Sequence, residues 1–162
     1  MNENINEFEK NEFEQKLKAY MVQNGISGDF LEFTESCHSV EDAARALETS
    51  PDRIVKNICL IGDNQLIVAV LKGEDRVDRS LVAKILGLNK VKIASPDEII
   101  DKAGYPCGGV PSFGFEAVFL IDSRVMERDM VYSGGGSTTS LLAITPSEIV
   151  KANKGVVAHI RK

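Results

Sequence analysis

Arg53-Ile54-Val55-Lys56-Asn57-Ile58-Cys59-Leu60-Ile61-Gly62-Asp63-Asn64-Gln65-Leu66-Ile67-Val68-Ala69-Val70-Leu71 reads as a β-hairpin. Two apolar, β-branched runs, residues 53–61 and 65–71, flank Gly62-Asp63-Asn64, a turn sequence. Alternation along the first run puts Lys56 on one face with Ile54, Ile58 and Leu60. An ammonium on such a face either snorkels to water at the strand end or projects into a cavity. Burial without a partner costs several kcal/mol, so a buried Lys56 requires an anion or a carbonyl.

Elements on both sides follow from local signals. Residues 7–24 carry a loose apolar stripe (Phe8, Phe13, Leu17, Tyr20, Met21) and end at Asn24-Gly25, which predicts a helix. The first six residues are expected to fray. Residues 30–34 alternate as a short strand, and Ser39 caps a helix that stops before Ser50-Pro51. After the hairpin, residues 77–86 read as a helix closed by Gly87, 91–94 as a strand, and Ser95-Pro96-Asp97-Glu98 as the start of a helix ending near Gly104. Residues 116–121, 130–132 and 140–144 read as strands, Thr145-Pro146 opens a short helix, and residues 155–160 add a last strand. Hairpins mixed with single helices predict an α/β fold with a mixed, largely antiparallel sheet. The whole chain, 1–162, is expected to form one domain, with residues 1–25 as an N-terminal helical extension.

Two glycine-rich segments interrupt this pattern. Gly104-Tyr105-Pro106-Cys107-Gly108-Gly109-Val110-Pro111-Ser112-Phe113-Gly114 is long for a connector, and Ser133-Gly134-Gly135-Gly136-Ser137 follows it. Each is either a turn or a backbone surface that meets a ligand, its N–H groups offered to a carbonyl oxygen or a phosphate. The second lacks the Lys-Ser/Thr ending of a P-loop.

A net charge of −5 argues against broad, sequence-independent binding to DNA or RNA, yet allows contact with one nucleic-acid end. Three scattered cysteines make neither a disulfide framework nor a zinc pattern and suit a reducing cytoplasm. The polar N-terminus is not a signal peptide, and no apolar run reaches a membrane span. His38 and His159 lack metal-ligand spacing, and a local structural role is expected for His38. Cys107 becomes a nucleophile only with a base beside it.

Four fragments in order carry a resemblance: Ser-Val-Glu-Asp-Ala-Ala (39–44), Arg-Ile-Val-Lys-Asn-Ile-Cys-Leu (53–60), Gly-Gly-Val-Pro-Ser-Phe-Gly (108–114), and Val-Tyr-Ser-Gly-Gly-Gly-Ser (131–137) ahead of Ile-Thr-Pro-Ser-Glu. From about residue 27 to 155 the chain resembles the YbaK/EbsC family of aminoacyl-tRNA deacylases, relatives of the editing domain inserted in bacterial prolyl-tRNA synthetases. The resemblance implies a barrel-like sheet and hydrolysis of the ester of a mischarged tRNA, typically tRNA for proline carrying cysteine or alanine. It implies catalytic roles for Lys56 and for the backbone of Gly108 and Gly109. It places substrate contacts on Val110, Pro111, Ser112, Phe113 and Gly114 and on Gly134, Gly135, Gly136 and Ser137. No metal or cofactor is implied. The partners implied are the acceptor end of aminoacyl-tRNA and a prolyl-tRNA synthetase or elongation factor, with neither membrane nor DNA. The family loop commonly runs Gly, three residues, Pro; counted from Gly108 that position is Ser112. A non-catalytic module holding a tRNA end or nucleotide beside a synthetase, and a cysteine hydrolase using Cys107, are the competing expectations.

Overall fold

The computed structural model describes residues 6–162. Of the six residues expected to fray, the first five lie outside this range. Asn6 is the N-cap of helix α1 (Glu7–Asn24), its side chain accepting Glu9 N–H at 2.9 Å. The elements then run β1 (Asp29–Glu32), α2 (Val40–Leu47), β2 (Val55–Gly62), β3 (Gln65–Lys72), α3 (Arg79–Leu86), β4 (Lys92–Ile93), α4 (Pro96–Ala103), β5 (Val118–Asp122), β6 (Val131–Gly134), β7 (Ser140–Ile144), α5 (Pro146–Asn153) and β8 (Val156–Ala158).

The hairpin forms in register from Val55↔Lys72 to Gly62↔Gln65. Its turn is the two residues Asp63 and Asn64, both at positive φ (53° and 62°), which Asp and Asn tolerate better than most side chains. Arg53, expected to begin the strand, instead ends a 3-10 turn (Pro51–Arg53) opened by Pro51. Helix α3 starts two residues later than its apolar spacing suggested, because the Asp78 carboxylate caps it by accepting Leu81 N–H. Val77 instead bridges Arg161. A complete capping box at Ser95 and Glu98 starts α4 as expected.

Two sheets result: β1-β7-β6, all antiparallel, and β4-β2-β3-β5-β8. Within the second, β5 runs parallel to both β3 and β8, since helix-bearing crossovers precede β5 and β8. A parallel bridge between Ile54 and Tyr132 joins the two sheets at one corner, giving a barrel-like but open arrangement. The main core lies between the sheets, where Val55, Cys59, Val68, Val70 and Ile121 meet Val131, Leu142 and Ile144, with Leu17 of α1 and Ile149 of α5. On the opposite face of the second sheet, Leu60, Ile67, Ala69, Leu71 and Leu120 pack beneath Val82 and Ala83 of α3. Helix α2 closes the corner with Ala43 and Ala44 against Ile54 and Leu141.

Candidate active site

Strand β4 pairs with β2 only at Leu60 and Ile61, so the edge of β2 is unpaired by β4 toward residue 55. A cavity of about 210 Å³ opens there, lined by Lys56 and its strand neighbours, by Cys37 and His38 ahead of α2, by Cys107, Gly108 and Val110, and by Gly134. The two glycine-rich segments thus meet one cavity, through Gly108, Val110 and Gly134.

Lys56 is half-buried, and its Nζ donates to Gly73 O at 3.1 Å, the carbonyl partner that burial requires. Burial holds its pKa below the ordinary lysine value; the Asp75 carboxylate pulls back upward, Arg76 pushes down and Glu41 pulls up. Asn57, the next residue, projects to the other face. Its Nδ2 donates to Val110 O at 2.9 Å, and its Oδ1 accepts from Ser112 Oγ at 2.9 Å. Ser112 Oγ also lies 2.7 Å from Ser133 Oγ. One strand therefore presents a cation to the cavity and, through its neighbour, fastens both glycine-rich segments behind it.

These segments touch backbone to backbone. Gly136 N–H donates to Gly109 O at 2.8 Å, and a Cβ on Gly109 would lie 2.8 Å from Ser137 N. A Cβ on Gly134 would collide with Val110 O. Gly109 N–H is held by Pro106 O at 2.9 Å, whereas Gly108 N–H makes no hydrogen bond among the described residues. Of the residues expected at the site, Lys56, Gly108, Val110 and Gly134 line the cavity. Gly109, Pro111, Ser112 and Phe113 are buried behind it, and Gly114 is half-buried with the Tyr20 ring 3.7 Å from its Cβ position. Gly135, Gly136 and Ser137 are buried as well, Ser137 Oγ donating to Glu14 Oε2 of α1 at 2.6 Å.

His38 lines the same cavity, although a local structural role was expected of it. Its ring lies so close over Gly108 that any Cβ there would strike it, and Gly108 sits at φ +89°. The segment before it is hung on the second glycine turn: Phe33 N–H donates to Thr139 O and Cys37 N–H to Thr138 O. No local signal in the sequence pairs His38 with Gly108. Asn57 was also missed, and a polar residue between Val55 and Cys59 on a buried face was its available sign. His159 is exposed, its Nε2 2.8 Å from Arg161 O.

The cavity's sulfur groups are poor nucleophiles. Burial pushes the Cys107 thiol up, the Cys37 thiol to about 11 and the Cys59 thiol to about 12. Among the described residues no group of three or more His, Cys, Asp or Glu is placed to hold a metal, and no helix is long and apolar enough to cross a membrane.

Known proteins resemble this chain in sequence or in fold. The Bacillus subtilis protein described as "Uncharacterized protein YwhH" is 28% identical over 138 residues, 83% of this chain and 87% of that one. Proline--tRNA ligase of Lactococcus lactis is 26% identical over 95 residues; the match takes in 59% of this chain but 15% of the ligase. The crystal structure of hypothetical protein APE2540 superposes with a TM-score of 0.84 at 28% identity, covering 91% of this chain and 99% of that one. A structure described as "a putative trans-editing enzyme for prolyl tRNA synthetase" has the same fold, with a TM-score of 0.85 at 22% identity over 92% of this chain and 96% of the other. The model of the aminoacyl-tRNA editing domain matches residues 34–152, from just ahead of His38 into α5. The chain belongs to the aminoacyl-tRNA editing domain family.

Proposed function

We propose that the chain is a trans-editing aminoacyl-tRNA deacylase, its editing domain acting in the cytoplasm on tRNA for proline that carries alanine or cysteine. The observation that carries this reading is the joint lining of one small cavity by Lys56, Gly108, Gly134 and His38. About 210 Å³ suits a small side chain and its ester, and is below the usual range for larger ligands.

An aminoacyl ester is already activated, so the work left to the protein is positioning and oxyanion stabilisation. Gly108 N–H, which has no partner among the described residues, is the donor for the developing oxyanion. Gly109 N–H would first have to leave Pro106 O. Lys56, a compact cation on a rigid strand, holds the terminal phosphate and ribose. The upward-shifted Cys107 thiol favours water, the ribose 2′-hydroxyl or a thiol of the substrate as the attacking group. A prolyl-tRNA synthetase or elongation factor would deliver the substrate.

The test is a deacylation panel with tRNA for proline charged with alanine, cysteine, serine or proline. Alanine or cysteine is released and proline retained, and Lys56→Ala lowers the rate about 10²-fold, the scale of removing one preorganised electrostatic contact. If no charged tRNA is cleaved, a binding module that holds the tRNA end replaces this reading.

A further inference from the structure

A chain of net charge −5 that takes tRNA has to hold a polyanion somewhere, and its cations are unevenly spread. Between positions 76 and 92 stand five cations (Arg76, Arg79, Lys84, Lys90, Lys92) and one acid, Asp78. The Asp78 carboxylate is committed to capping α3. Two adjoining open hollows run along α3 and the loop after it, both lined by Arg79, Asn89 and Lys90, with Lys84 in the first and Lys92 in the second. Arg79, Lys84 and Lys90 are exposed and make no ion pair among the described residues. Lys92 pairs with Glu98, and Asp63 is the acid among the residues that line the second hollow.

The position of this patch relative to the cavity is set by the sheet. Helix α3 covers the face that carries Ile58 and Leu60, and by alternation Lys56 belongs to that same face. Ile61, which lines the second hollow, is five positions along β2 from Lys56, a span of about 17 Å at 3.3–3.4 Å per residue. A stacked nucleic-acid strand rises about 3.4 Å per phosphate. A strand that leaves the cavity along this edge of β2 would cover the span in about five nucleotides, the distance at which the unpaired 3′ tail of a tRNA joins its duplex stem.

We propose that the α3 face, through Arg79, Lys84 and Lys90, binds the phosphate backbone of the tRNA acceptor stem whose charged end occupies the cavity. This rests on the deacylase reading for the identity of the RNA. The patch supplies affinity and orientation, and the cavity supplies chemistry.

The experiment compares wild-type protein with Arg79→Glu/Lys84→Glu/Lys90→Glu, using an uncharged acceptor-stem minihelix in fluorescence anisotropy across a salt series. It also follows hydrolysis of 3′-alanyl-adenosine, an ester too short to reach α3. The variant binds the minihelix at least tenfold more weakly, and its slope of log affinity against log salt is shallower by about two to three, at roughly 0.9 per phosphate contact. Its hydrolysis of the short ester is unchanged. The three-glutamine variant moves the same way by less and covers any folding defect of the charge reversal. Lys10→Glu/Lys151→Glu, on α1 and α5, leaves binding intact.

Equal minihelix affinity and salt slope in wild type and variant overturn the proposal, as does absence of minihelix binding by wild type. An equal loss in the α1/α5 control also overturns it, by showing that only total charge matters. If the variant loses binding while wild type cleaves neither the short ester nor any charged tRNA of the deacylation panel, the surface stands and the deacylase reading falls.

Discussion

At the scale of single residues, Lys56 sets function against stability. Burial is the leading cause of its lowered pKa, so the folded chain disfavours the charged form that the proposed role needs. With the folded pKa below the unfolded one, the unfolded chain binds more protons between the two values, and stability rises with pH across that alkaline window. Near neutral pH the penalty is fully present and flat. Lys56→Met, similar in length and without charge, is therefore expected to raise the urea midpoint at neutral pH while lowering deacylation about 10²-fold. The gap to wild type narrows as pH climbs toward the unfolded lysine value of about 10.4. A gap that widens on going alkaline contradicts the burial account. Cys107 makes the opposite case: its thiol is pushed up by burial and stays protonated at neutral pH. Cys107→Ala is expected to retain deacylation within about threefold, since a protonated thiol supplies little nucleophile. A loss of 10²-fold or more would restore the cysteine hydrolase.

Among elements, the device that shapes the site is the fastening of two glycine-rich segments by β2. Ser112 is fully buried and its hydroxyl closes a network with Asn57 and Ser133, so the position where the related loop commonly has proline faces away from the cavity here. Its influence on specificity runs through loop position. Asn57→Ala removes the donor to Val110 O and leaves the Ser112 hydroxyl with Ser133 Oγ alone, a loss of about 1–3 kcal/mol in thermal or chemical unfolding. A deacylation defect that falls on kcat more than KM is expected, because the oxyanion donor at Gly108 loses its support two residues away. Ser112→Ala leaves Asn57 bonded to Val110 O and is milder on both counts. Equal effects of the two would show that Asn57 does not act as the fastener. The local parts of this device were legible in the sequence: the hairpin turn, the caps at Ser39 and Ser95, and the glycine clusters are each encoded within a few residues. Asn57, His38 and the parallel pairing of β3 with β5 were not. Each depends on groups tens of residues apart, His38 with Gly108 and Asn57 with Val110, that only the folded sheet brings together.

For the whole molecule, the question is whether α1 is an extension or part of the body. The matched family region begins at residue 34, beyond α1, and the sequence reading set residues 1–25 apart as a helical extension. In the fold, Leu17 is fully buried and Met21 nearly so, while Phe8 and Val22, on other faces, are 70% and 83% exposed. Tyr20 stacks on Phe113 with ring centroids 6.0 Å apart, and Glu14 binds Ser137. Gly136, at φ +99°, brings the second glycine turn against Phe13 O of α1. Helix α1 thus buttresses both glycine-rich segments without itself lining the cavity. Burying a leucine or methionine contributes about 1.5–3 kcal/mol each, against a total of about 5–15 for a domain of this kind. Deleting residues 1–25 is therefore expected to abolish cooperative unfolding or lower its midpoint steeply, and not to leave a trimmed but stable enzyme. Leu17→Ala costs about 2–5 kcal/mol, whereas Phe8→Ser and Val22→Ser stay within about 0.5 kcal/mol. Glu14→Ala tests the functional half of the argument. It removes the carboxylate that receives Ser137 Oγ at 2.6 Å, so activity falls through displacement of the turn that carries Gly134. A truncated chain with the wild-type midpoint and full activity would return α1 to the status of an appendage. A truncated chain that keeps the midpoint but loses activity would confine the role of α1 to holding the glycine turns.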